Sequence, residues 1–80
     1  MRHVYASGVI AYLNERNQCH RAESEGPAMV WPDGYEHWYF HGKLHRIGGP
    51  AIVRTNGDHE FFLMGKAMPE TEHRKATARR

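Results

Sequence analysis

Eighty residues with a net charge of +2 and one cysteine, Cys19, suffice for a single small domain. One cysteine excludes an intrachain disulfide framework and a thiolate zinc centre. No run approaches the ~20 apolar residues of a membrane helix, and Met1-Arg2-His3-Val4-Tyr5 lacks the apolar stretch of a signal peptide, so a cytoplasmic protein with no membrane partner is expected.

In chain order, Gly8-Val9-Ile10-Ala11-Tyr12 reads as a degraded strand unit, followed by Cys19-His20-Arg21 and Ala22-Glu23-Ser24-Glu25. Gly26-Pro27 opens a strand-like run, Ala28–Trp31. Pro32-Asp33-Gly34 turns it, because glycine accepts a positive φ and aspartate tolerates one. Tyr35–Phe40 is the returning strand and His41-Gly42-Lys43 a second turn. The same grammar then recurs. Gly49-Pro50 opens Ala51–Arg54, Thr55-Asn56-Gly57 turns it, His59–Leu63 returns and Met64-Gly65-Lys66 closes the unit. Aromatic and β-branched residues fill these runs, as strands prefer. Pro27 and Pro50 stand at strand starts, where a missing N–H costs little.

The recurrence has a fixed spacing. Residues 34–43 lie over 57–66, and 26–30 over 49–53, both at an offset of 23. His20-Arg21 and His45-Arg46 recur at 25, so the first full copy carries two extra residues within Ala22–Glu25. A glycine frame and aromatics shared at one offset identify a tandem β-hairpin repeat. The expected fold is all-β or mostly β: an antiparallel meander of five to seven short strands over residues 1–66, with a basic helix or tail at 67–80.

Strand alternation divides the side chains into two faces. Glu36, Trp38 and Phe40 share one face, matched by His59, Phe61 and Leu63. The pairs Trp38/Phe61 and Phe40/Leu63 assign it to the core, with Ile10 and Tyr12 in register. Tyr35, His37, Tyr39 and His41, with Phe62, form the other face and the candidate binding surface. Equally, Tyr39 and Phe62 could pack in a two-sided core.

Seven histidines raise the question of a metal site. His37 and His41 stand roughly 13 Å apart along a strand, too far to share one ion. His20 and His45 occupy matching positions, which suggests a repeated structural task, the imidazole N–H bonding a turn carbonyl. Neither serine, Ser7 or Ser24, has a nucleophile-elbow context, and Cys19 and His20 point to opposite faces as chain neighbours. Hence no catalytic residue, metal or cofactor is expected. Arg21 and Arg46 recur with the histidines, either as a basic ridge for anionic partners or, the favoured reading, as stacked arginines holding the next unit.

Residues 66–80 carry +3, from Lys66, Arg74, Lys75, Arg79 and Arg80 against Glu70 and Glu72, while residues 1–65 carry −1. Pro69 followed by acids and then bases suits a short helix over about 69–77. A frayed solubilising tail is the alternative.

The run from Trp31 to Lys66, with its Asp-Gly and Asn-Gly turns, aromatic strands and Gly-Lys turns, resembles MORN repeats over roughly residues 8–66. One departure is consistent: His45-Arg46 stands where the family usually has His-Gly, and Gly49-Pro50-Ala51 follows. That His-Arg…Gly-Pro-Ala form resembles a repeat of short phage and bacterial proteins. The resemblance implies a curled antiparallel β array, a binding role and no catalytic residue. It also implies a phage-encoded protein that engages or inhibits a host or defence protein in the host cytoplasm.

The expected function is therefore that of a small protein-binding module. The alternative is a nucleic-acid-binding accessory protein that uses exposed aromatics and the tail residues Arg74, Lys75, Arg79 and Arg80. Open sheet edges at both ends would favour a homodimer.

Overall fold

The computed structural model describes residues 1–78, so Arg79 and Arg80 lie outside the described residues. The chain is mostly β and antiparallel. Its strands are β1 (Arg2–Val4), β2 (Ile10–Tyr12), β3 (Met29–Val30), β4 (Glu36–His37), β5 (Tyr39–Phe40), β6 (Lys43–Leu44), β7 (Ile52–Val53), β8 (His59–Leu63) and β9 (Lys66–Met68). One 3-10 turn, Glu23–Glu25, precedes β3, and helix α1 (Glu70–Thr77) ends the described chain. Seven strands form one sheet in the order β1-β2-β3-β4-β7-β8-β9, while β5 and β6 pair only with each other. Described strands thus number nine in two sheets, more than the five to seven expected.

The turns explain why these runs become hairpins. Tyr5, Trp31 and Arg54 donate their N–H to Val9, Tyr35 and Asp58 at 2.8–3.0 Å, and Gly8, Gly34 and Gly57 donate back to Tyr5, Trp31 and Arg54. Gly34 and Gly57 take φ of 96° and 92° there. Asp33 Oδ1 accepts the Tyr35 N–H and Asn56 Oδ1 the Asp58 N–H, both at 3.0 Å, so each turn is braced by its own side chain.

The run Tyr35–Phe40 is not one strand. It breaks at Trp38, whose N–H donates to Ala51 (2.7 Å) and whose carbonyl accepts from His45 (3.0 Å). Beyond it β5 leaves the large sheet and turns back through His41 and Gly42 into β6. Alternation counted across the break therefore fails. Phe40, expected in the core, is 37% exposed, whereas Trp38 is 8% exposed. Phe61, Leu63, Ile10 and Tyr12 are half-buried.

Backbone bonds tie the successive loops to one another. Leu13 bridges Cys19, Gly42 N–H donates to the Cys19 carbonyl (2.8 Å), and Gly65 N–H donates to the Leu44 carbonyl (2.7 Å). Ala11, Ala28 and Ala51 are fully buried and Trp38 and Ile52 nearly so; the register puts Ala28, Trp38 and Ala51 on one face of the sheet and Ala11 and Ile52 on the other. Alanine at these places lets backbones approach closely. No large side chain is fully buried among the described residues, so the core is thin and built from small residues.

The segment expected as a helix or tail forms the end of β9 and then helix α1. Strand β9 runs across the division expected after Lys66, and Pro69 is the N-cap of α1 rather than its first residue. The helix packs on β8 through His73, which is 3% exposed. None of the described helices is long and apolar enough to cross a membrane.

Candidate binding surface

Sheet register places two rows of side chains on one face. Ile10 opposes Val30 and Ala11 opposes Met29, which sets Val9 against Trp31; the β4–β7 register likewise sets Tyr35 against Arg54. The first row is Tyr5, Val9, Trp31, Tyr35 and Arg54. The second is His3, Ala11, Met29, His37, Ile52 and Glu60.

Aromatic side chains gather at the centre of these rows. Trp31, Tyr35 and His37 meet pairwise with ring centroids 4.7–4.9 Å apart. Tyr39 joins from β5, with its hydroxyl 3.5 Å from His37 Nδ1. Tilted and edge-on approaches of this kind suit ring quadrupoles. Arg54 rims the cluster, pairing with Glu60 and lying 5.8 Å from the Tyr35 ring centre.

Electrostatics of the cluster are those of a half-dry patch. Desolvation holds the His37 imidazole below its usual value, helped by Arg54 and opposed by Glu60. Its Nε2 is buried with no hydrogen-bond partner among the described residues. Desolvation raises the Tyr39 phenol, with Cys19 and Tyr35 adding to it, and raises the Cys19 thiol. Neutral imidazole, phenol and thiol are therefore the resident forms near neutral pH.

The structure brings together Tyr35, His37 and Tyr39, all half-buried rather than open. His41 does not join them, contrary to the alternation. It sits at φ 49° in the β5–β6 turn, stacks on His20 at 4.3 Å and lines an open groove of about 690 Å³ beside Asn14 and Gln18. Phe62, opposite Ala67 on β8, lies outside the cluster.

Arg21 and Arg46 lie across aromatic rings. Their guanidinium carbons stand 3.8 Å and 3.7 Å from the ring centres of Tyr12 and Trp38. Each donates to a proline carbonyl, Pro27 at 3.1 Å and Pro50 at 3.2 Å. Burial lowers the Arg46 pKa, with Glu23 and Glu36 opposing the shift. Arg74 and Lys75 are exposed on α1, and Arg74 pairs with Glu70 at 2.8 Å.

His20 and His45 do act alike, but as acceptors rather than donors. His20 Nδ1 accepts the His41 N–H and His45 Nδ1 the Met64 N–H, each at 2.9 Å, bracing the turn of the neighbouring hairpin. Two residues escaped the sequence reading. Glu23 grips the loop after Arg46, accepting the Ile47 and Gly48 N–H groups at 2.8 and 2.7 Å. His73 places Nε2 2.6 Å from the Arg46 carbonyl and its ring 5.1 Å from Phe61. The insertion within Ala22–Glu25 was the visible signal for Glu23; nothing in the local sequence marked His73.

No group of three histidine, cysteine or acidic side chains is placed to hold a metal ion among the described residues. No protein-family model, curated protein or solved structure matches the chain.

Proposed function

We propose that this chain is a tandem array of MORN-like hairpin units whose aromatic face binds another protein, and that it does so without catalysis. The observation that carries the reading is the cluster of Trp31, Tyr35, His37 and Tyr39 on the sheet face, with the His37 Nε2 left without a partner. A buried nitrogen of this kind costs free energy unless something satisfies it, and aromatic groups are the common anchors of protein interfaces. The partner class, a host or defence protein, is what the resemblance implies.

The test uses a partner captured by the intact chain. Tyr39→Ala and Tyr35→Ala should abolish binding while leaving the melt cooperative, and deletion of residues 74–80 should mainly slow association. The nucleic-acid alternative predicts the reverse: loss on deleting 74–80, steep weakening with salt, and indifference to Tyr39→Ala. That reverse pattern would refute the protein-binding reading. The pairing of Arg74 with Glu70 removes part of the charge on which the alternative depends.

A further inference from the structure

The two ends of the large sheet are unlike. At one end β9 is closed by its own sequence. Its two-residue turn makes Leu63–Lys66 and Phe61–Met68 the hydrogen-bonded pairs, so within the strand only Ala67 turns its N–H and C=O outward. Lys66 precedes that residue and Pro69 follows two positions on, and both discourage strand addition.

At the other end β1 is open. Met1 bonds Leu13 and Tyr5 bonds Val9, which makes His3–Ala11 the bonded pair between them. Arg2 and Val4 therefore turn both backbone groups away from β2. All three residues of β1 are exposed. Met1 is 91%, Val4 54% and Tyr5 43% exposed, and these are three of the five large apolar side chains left exposed among the described residues.

The geometry points to a second copy of this chain as the occupant of that edge. Antiparallel pairing of β1 with β1 about a two-fold axis through His3 sets Arg2 opposite Val4 of the second copy, and the reverse. All four outward groups on each copy are then bonded. The same operation sets Met1 opposite Tyr5, a thioether against an aromatic ring, and Val4 against the aliphatic stem of Arg2. Charge selects this register. An axis through Arg2 would place two guanidinium groups directly opposite, which is destabilising. An axis through Val4 would leave Arg2 facing Ala6, which lies in a turn. The closed β9 edge prevents head-to-tail growth, so association stops at two. A contact of about five residues on each side is smaller than a standard interface, so the dimer is a weak, concentration-dependent one. It leaves the Trp31–Tyr39 cluster free and does not depend on the protein-binding reading.

Sedimentation of the full chain over micromolar to submillimolar concentrations should show monomer passing to dimer. Val4→Pro removes one outward N–H while keeping the bonds to β2, and should weaken the dimer about tenfold or more. If that variant proves unfolded by circular dichroism, Val4→Glu should give the same weakening by charging the edge. Register is read by thiol cross-linking in a Cys19→Ser background. Two thiols introduced by His3→Cys face each other across a non-bonded pair about 4.5 Å apart and should oxidise to a covalent dimer. Those from Arg2→Cys stand about 8 Å apart and should not. A chain that stays monomeric, a dimer indifferent to both Val4 variants, or equal cross-linking at positions 2 and 3 would overturn the proposal.

Discussion

Trp38 and Phe61 follow matching turns, yet one ends a strand and the other continues it. Both stand four residues after a turn glycine, Gly34 and Gly57. At Trp38 the N–H is taken by Ala51 and the ring is covered by Arg46 from the chain that follows. Beyond Trp38, β5 pairs with β6 alone. After Phe61 comes only the β8–β9 hairpin and then α1, with no hairpin of the β3–β4 or β7–β8 kind among the described residues. Strand β8 therefore runs unbroken from His59 to Leu63, and His73 of α1 covers the Phe61 ring. Tyr12 completes the series under Arg21. The comparison teaches that a neighbour along the chain, more than the local residues, decides how a hairpin of this kind ends, and that α1 acts as the terminal cover.

The sharpest way to break this comparison is to empty the two positions. Trp38→Ala removes the largest side chain of a thin core and should cost about 3–5 kcal/mol, enough to unfold so small a domain. Phe61→Ala, half-buried under one helix, should cost less, about 1–3 kcal/mol. Equal losses in denaturant unfolding would mean that the two sites are covered alike after all.

Removing the terminal cover comes next. His73→Ala loses the bond to the Arg46 carbonyl and the contact with Phe61, for about 1–2 kcal/mol. In a domain of this size that corresponds to roughly 4–8 °C in Tm per kcal/mol. A melt unchanged by His73→Ala would show that α1 is not a cover.

Much of this was legible in the letters, and the gaps have physical causes. Turn residues are legible because Gly34 and Gly57 meet a local steric requirement that does not depend on the rest of the fold. The alternation from Tyr35 to His37 is legible for the same reason. It fails at Phe40 and His41 because the break at Trp38 is imposed by Ala51 and His45, residues distant in sequence. Arg21 and Arg46 could be read either as a ridge or as stacked side chains, and only the positions of Tyr12 and Trp38 choose between these. His73 was hidden because α1 is short and polar, and its buried face holds a histidine rather than an apolar stripe.

The two hairpin tips sharpen the comparison at smaller scale. His41-Gly42 and Met64-Gly65 both take two consecutive positive φ values, 49° and 82° against 48° and 87°. Such turns favour Asn-Gly. Met64 is half-exposed, so Met64→Asn should stabilise by about 0.5–1 kcal/mol. His41→Asn makes the same backbone gain but loses the stack on His20 and the edge contact with Phe40. It should be near neutral. A matching gain at both tips would show that the His20–His41 stack contributes nothing.

The smallest effect is set by proton chemistry and separates the same two regions. His20 Nδ1 accepts a backbone N–H, which only an unprotonated Nδ1 can do, and desolvation, with His41 second, holds its pKa below the usual imidazole value. The folded state thus binds this proton less readily than the unfolded chain. Stability from this bond is full above the unfolded value near 6.5 and is lost as pH falls through the lower folded value. His73 differs in kind, because its Nε2 faces a carbonyl and must donate. His20→Asn supplies an acceptor that does not titrate in this range, so it should hold Tm close to wild type at pH 7 and reduce the drop in Tm between pH 7 and pH 5. His73→Gln keeps a donor toward the Arg46 carbonyl but loses the ring contact with Phe61, and should lower Tm at pH 7. Thermal melts of the three proteins at the two pH values check this, and an acid drop undiminished in His20→Asn would remove His20 from the account.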